Sequence, residues 1–170
     1  LPGGATVRLG EVARVIDESR RQPPVDVYLV WFGSEELGFY GSLSFVDNHQ
    51  ELLDRAVGAL SLDAFVAAVP DGTLSLDGWS FGRFGDARLP FPRYLEEAAG
   101  AAGITVDEVT DIRSISSDNT SFSGFLPQTG LGFGGLTSGY GHTPYDTWEA
   151  AAEQVETIEQ VAQVALLAVF

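Results

Sequence analysis

The sequence predicts an α/β fold, a mixed and mostly parallel sheet with helices on both faces, and three observations carry that reading. Apolar runs of strand length, rich in β-branched and aromatic residues, alternate with segments whose apolar residues recur at helical spacing. Acidic residues stand at the ends of those apolar runs, Glu35 and Glu36 after the first and Asp63 near the end of the second. The 170 residues are 45% hydrophobic and 11% aromatic, which is one domain's worth of chain with enough apolar side chain for a real core.

Taken in order, residues 1–22 begin in a Gly-rich turn and become helical, with Val7, Val12, Ala13 and Ile16 on one stripe. Pro23 and Pro24 end that helix. Val25–Phe32, VDVYLVWF, reads as a buried strand that stops at Gly33-Ser34. Leu37–Ala56 follows as a helix with Leu37, Tyr40, Leu43, Val46, Leu52 and Leu53 on its apolar side; its His49, between Asn48 and Gln50, reads as solvated. Val57–Phe65 is the second buried strand, with Asp63 near its carboxyl end. Residues 66–89 carry the turn signals Pro70-Asp71-Gly72 and Asp77-Gly78 and read as an edge strand plus a long surface loop. Phe91–Gly103 is a helix with Gly103 as its stop, and Ile104–Val109 is a strand. Leu126–Gly135 is a short strand running into glycines, a loop leads to His142, and Trp148–Phe170 is a closing helix with Val155, Ile158, Val161, Ala162 and Ala165 toward the sheet.

Composition narrows the function. A net charge of −15, with nine basic residues against 24 acidic ones, disfavours a nucleic-acid partner, since phosphate binding needs clustered cations. There is no cysteine, so a transition-metal site would have to use imidazole and carboxylate. No apolar run reaches the roughly 18 residues of a membrane span.

In an open α/β sheet the crevice outside the carboxyl ends of the strands is where ligands bind, which makes Glu35 and Glu36 a candidate site. The same residues also suit a helix start, Ser34 as the N-cap and two carboxylates favoured by the helix dipole. Asp118, in the run SSDNTSFSGF, taken alone reads as another cap. His142 lies in a Gly-rich loop outside any amphipathic pattern, with Asp146 close enough in sequence to orient it or its neighbours.

The phrase WFGSEELGFYGS at 31–42, SLDAF at 61–65 and GHTPYDT at 141–147 occur in the order found in the M28 family of zinc-dependent exopeptidases, which the chain resembles over essentially all of its length. The resemblance implies the zinc-exopeptidase, phosphorylase/hydrolase-like fold and peptide substrates. It implies that residues 1–170 are the later part of a single peptidase domain, without its N-terminal strands, first ligand His and bridging Asp. Residue by residue, it makes Glu35 the general base, Glu36 and His142 ligands of one zinc ion and Asp63 a ligand of the other, in a site that holds two zinc ions when complete; residues 1–170 by themselves could hold one or none. Asp118 falls where the family has a Ser-Asp-His element, here with Asn119 in place of the His, and takes a supporting role. Asp146 and Tyr140 are further candidates beside the metal or substrate, Tyr140 standing one residue earlier than the Tyr that some members place directly before the ligand His. An aminopeptidase is the leading expectation. The alternatives are a non-catalytic binding domain that has lost its metals and a glutaminyl cyclase-like transferase with a single zinc. Secretion or a periplasmic location is common to the family, although no signal peptide opens these residues.

Overall fold

The computed structural model describes residues 3–62, 74–77, 90–106, 108–110, 117–126, 128–133, 143–145, 147, 149 and 155–170. Helix α1 spans Gly3–Glu18, α2 Tyr40–Asn48, α3 Gln50–Leu53, α4 Pro90–Ala101 and α5 Val155–Leu167. The strands are β1 Ala59–Ser61, β2 Leu74–Asp77, β3 Glu108–Thr110 and β4 Gln128–Phe133. They form one mixed sheet in the order β1-β4-β2-β3. β1 runs parallel to β4 with Leu60 opposite Thr129, β2 runs parallel to β3 with Leu76 opposite Val109, and β2 and β4 are antiparallel with Leu76 opposite Leu131. Among the described residues no helix is long and apolar enough to cross a membrane.

Because successive strand residues point to opposite faces, β1 sorts the helices. Leu60, together with Leu62 just past the strand, packs with Leu95 and Ala99 of α4, Val164 and Ala165 of α5 and Val12 of α1. Ala59 packs on the other side, with Val46 of α2, Leu53 of α3 and the buried Phe122 and Leu126. Helices therefore cover both faces, as the alternating pattern predicts. The stop after α4 is also as expected. Gly103 adopts φ 78°, its N–H bonds the Gly100 carbonyl at 3.0 Å, and the Ile104 N–H bonds the Ala99 carbonyl at 2.9 Å. This is a Schellman closure, and Ile104 packs back onto the Leu95 cluster.

Five expectations need correction. The strand within residues 66–89 is not at an edge of the described sheet, since β2 is paired on both sides, with β4 and with β3. Val25–Phe32 is not a strand: it lies outside the sheet, and Val25, Tyr28 and Trp31 are 44%, 57% and 52% exposed. A strand needs a neighbouring backbone to bond, and apolar composition alone does not provide one. The helix over Leu37–Ala56 is broken into a 3-10 turn at Glu35–Leu37, then α2, then α3. Gly38 and Phe39 interrupt it at φ 112° and 60°, which leaves Leu37, Tyr40 and Leu43 exposed and buries Val46 and Leu53. The described part of the strand expected over 57–65 shortens to Ala59–Ser61, and Val57 is exposed. Residues 104–106 precede β3 without joining it.

Candidate functional site

The site is built around the turn that follows Phe32. Phe32 is anchored edge-on to Phe45 of α2 (ring centroids 5.5 Å apart) and tilted against Phe122 (6.1 Å), while Phe45 and Phe122 lie 6.3 Å apart. From that triad the chain enters Ser34, a left-handed residue at φ 61°, ψ 31°, and the 3-10 turn carrying the Glu pair. Both Gly38 and Phe39 return their N–H groups to the Glu35 carbonyl at 2.9 Å. The turn is further held by a close backbone contact, the Gly41 N–H bonding the Gly33 carbonyl at 3.2 Å. Two non-glycine residues with positive φ, Ser34 and Phe39, flank the pair. Such backbone strain, of order 1–3 kcal/mol each, persists only where the surroundings over-determine it.

Ser34 sits at the N-cap position of this turn, but its side chain makes no cap hydrogen bond. The capping account of the segment thus loses its principal contact. Glu35 is half-buried and Glu36 exposed.

Asp118 opens a second 3-10 helix, Asp118–Phe122, whose cap position belongs to Ser117. The cap role expected of Asp118 is therefore not the one it holds. That helix is fastened to its neighbours by hydroxyl pairs. The Ser42 and Ser121 Oγ atoms lie 2.8 Å apart, joining α2 to it, and Ser61 at the end of β1 faces Ser117 at 3.5 Å. Ser42, Ser117, Asn119 and Ser123 are all buried. None of these serines was singled out by sequence, because each partner lies far away along the chain.

Glu35, Glu36 and Asp118 share the lining of one cavity of about 1330 Å³, to which Ser61, Leu62 and Thr143 also contribute. Asp63, Tyr140, His142 and Asp146 lie outside the described residues. Among the described residues no group of three or more His, Asp or Glu side chains converges on a metal position. His49 behaves as its sequence suggests. It is exposed, stacks on Phe45 with ring centroids 4.2 Å apart, and places Nδ1 2.8 Å from the Phe45 carbonyl.

The sequence pattern of Peptidase family M28 matches residues 3–169. The chain belongs to peptidase family M28. None of the curated proteins compared with it matches. Among solved structures, this M28 chain is similar to LapA of Legionella pneumophila, with TM-score 0.76 and 20% identity over 98% of the chain. A second structure, titled as the LapA aminopeptidase of the same organism, gives TM-score 0.75 at 20% identity, again over 98% of the chain. A TET aminopeptidase from a marine-sediment archaeon of the Thaumarchaeota gives 0.63 at 15% identity over 95%. The M28 chain spans less than half the length of these relatives, 46%, 45% and 44% respectively. At such identities the likeness is one of fold.

Proposed function

We propose that this M28 chain is the later part of the catalytic domain of a zinc-dependent exopeptidase, an aminopeptidase acting on peptides. The observation that carries the reading is the fixed Glu35-Glu36 turn on a cavity it shares with Asp118. Two further facts support it: Leu62, next in sequence to Asp63, and Thr143, next to His142, line that same cavity. The donor chemistry also fits. Carboxylate and imidazole are ordinary zinc ligands, and in this reading Glu36 and His142 hold one ion and Asp63 holds another. Zinc, when bound, polarises a carbonyl and lowers the pKa of water to about 7.

The chain's own contribution is proton handling and positioning. Glu35 takes a proton from the attacking water and returns it to the departing amine, so that one carboxylate serves as base and then acid. Its neighbour stays charged as a ligand, and a half-buried carboxylate beside an exposed one is consistent with that division. Asp118, set by the serine pairs, is a positioning residue facing the same space.

Glu35→Gln tests the reading. Removing a general base costs about 10²–10⁴-fold in turnover, so kcat on aminoacyl anilides is expected to fall by that factor while zinc per chain, measured by elemental analysis, stays the same. Hydrolysis that survives the change overturns the assignment. No zinc uptake from excess metal by the full-length gene product overturns the peptidase reading and favours a binding domain.

A further inference from the structure

Three serines around the Glu pair are buried, Ser42, Ser117 and Ser123, and their hydroxyls are not equally engaged. The Ser42 Oγ lies 2.8 Å from the Ser121 Oγ, and Ser123 donates to the Thr120 carbonyl at 2.5 Å. Ser117 is different. It stands at the N-cap position of the Asp118–Phe122 helix, yet its side chain makes no cap hydrogen bond. Its side-chain partner among the described residues is the Ser61 Oγ at 3.5 Å, beyond the ~2.5–3.0 Å usual between hydroxyls. Ser117 is only 6% exposed, and a hydroxyl at that depth is costly to leave without a good acceptor. Two facing hydroxyls carry two protons and share at most one between them. Ser61 and Ser117 line the large cavity, whereas Ser42, Ser121 and Ser123 do not. The second proton is therefore directed at something in that space.

We infer that Ser117 is a positioning residue for Glu35: its hydroxyl, backed by Ser61, donates to the Glu35 carboxylate once substrate occupies the site. Four carboxylates of the described residues line the cavity, those of Asp26, Glu35, Glu36 and Asp118. Asp26 and Glu36 are exposed and have water as their donor. Asp118 follows Ser117 directly in a 3-10 helix, where side chains line up at i and i+3 and not at i and i+1, which makes it a poor acceptor for its neighbour. Glu35 is half-buried, and its turn is tied to the same helix. Phe32 packs on Phe122 with ring centroids 6.1 Å apart, and Gly41, bonded to the Gly33 carbonyl, is followed by Ser42 in its contact with Ser121. Hydrogen bonds to a catalytic base are often long before substrate binds and tighten in the Michaelis complex. A base that takes a proton from water and returns it must be held in one orientation, and a donor on one carboxylate oxygen leaves the other for the water. This rests on the exopeptidase reading of Glu35 and adds to it the group that aims the carboxylate.

Steady-state kinetics of the full-length gene product on aminoacyl anilides test it. Ser117→Val is expected to lower kcat by about 10–100-fold with KM within about twofold, since misplacing a reacting group by about 1 Å costs up to about 100-fold. Ser117→Ala, which adds no bulk, is expected to match it. Ser117→Thr has the shape of the Val variant but keeps the hydroxyl, and is expected to recover most of kcat. In a Glu35→Gln background, Ser117→Val is expected to cost almost nothing further, because the hydroxyl acts through Glu35. Ser123→Ala removes a buried serine that does not line the cavity, so it is expected to lower the urea midpoint and leave turnover of the folded fraction unchanged. Equal kcat in the Val and Thr variants overturns the inference, and so do losses that multiply in the double variant. In both cases the wild type still hydrolyses. Wild-type protein that does not turn over is the distinct failure of the peptidase reading, and the inference falls with it.

Discussion

At the scale of single residues, the position of the Glu pair depends on how closely two backbones approach. A Cβ on Gly41 would lie 2.4 Å from the Gly33 carbonyl oxygen and 2.9 Å from the Gly33 nitrogen, both backbone atoms that cannot step aside. Gly41→Ala is therefore expected to cost about 1–3 kcal/mol in urea unfolding, as overpacking does. It should also lower kcat, because Gly33 precedes the Ser34-Glu35 turn. Leu95→Ala separates stability from function. Leu95 is fully buried between α4 and α5 and does not line the cavity, so truncation is expected to cost about 2–5 kcal/mol and leave the turnover of the folded fraction unchanged. Glu35 and Glu36 were legible as a candidate site because charges after an apolar run stand out. Ser42, Ser61, Ser117 and Ser121 were not, since nothing in a serine's local sequence announces a partner 79 or 56 residues away.

At the scale of elements, helix α1 carries its own electrostatic ladder, with Arg14 hydrogen-bonded to both Glu11 and Glu18 one turn to either side. The hydrogen bond from Arg14 lowers the Glu11 carboxyl below its ordinary pKa, more than desolvation raises it, with a smaller coulombic contribution in the same direction as the bond. A depressed carboxylate contributes stability that is present above its unfolded value and lost as pH falls through the folded one. The helicity of α1 is accordingly expected to decline on acidification below the usual carboxylate range and to lose part of that pH dependence in Glu11→Gln, which circular dichroism reads directly. The effect is small because all three side chains are exposed. The elements also mark how far sequence pattern reaches. The 3.6-residue periodicity placed α1 and the described part of α5 well, because each buries apolar residues on neighbours within this chain, and the Gly103 stop placed the end of α4. It merged the Glu35–Leu37 turn, α2 and α3 into one helix, because left-handed backbone at Gly38 and Phe39 leaves no trace in a pattern of apolar spacing. It made a strand of 25–32, because strand propensity reports a surface suited to burial, whereas a ladder requires a second backbone.

At the scale of the molecule, these 170 residues carry a net charge of −15. Peptides with a free, cationic amino group are drawn toward such a surface, and attraction at a distance is screened as the Debye length shrinks from ~30 Å at 0.01 M salt to ~8 Å at 0.15 M. In an aminopeptidase, kcat/KM for basic peptides should fall over that range while kcat changes little; steady-state kinetics at several salt concentrations check it. The sheet has a temporal consequence as well. Among the described residues, Ala59 of β1 finds its ladder partner in Gln128 of β4, about 70 residues later. At ~5–20 residues per second of synthesis that pairing is delayed by roughly 4–14 s. Until β4 emerges that side of β1 lacks its partner, and a sheet joined across so long a span of chain is slow to close.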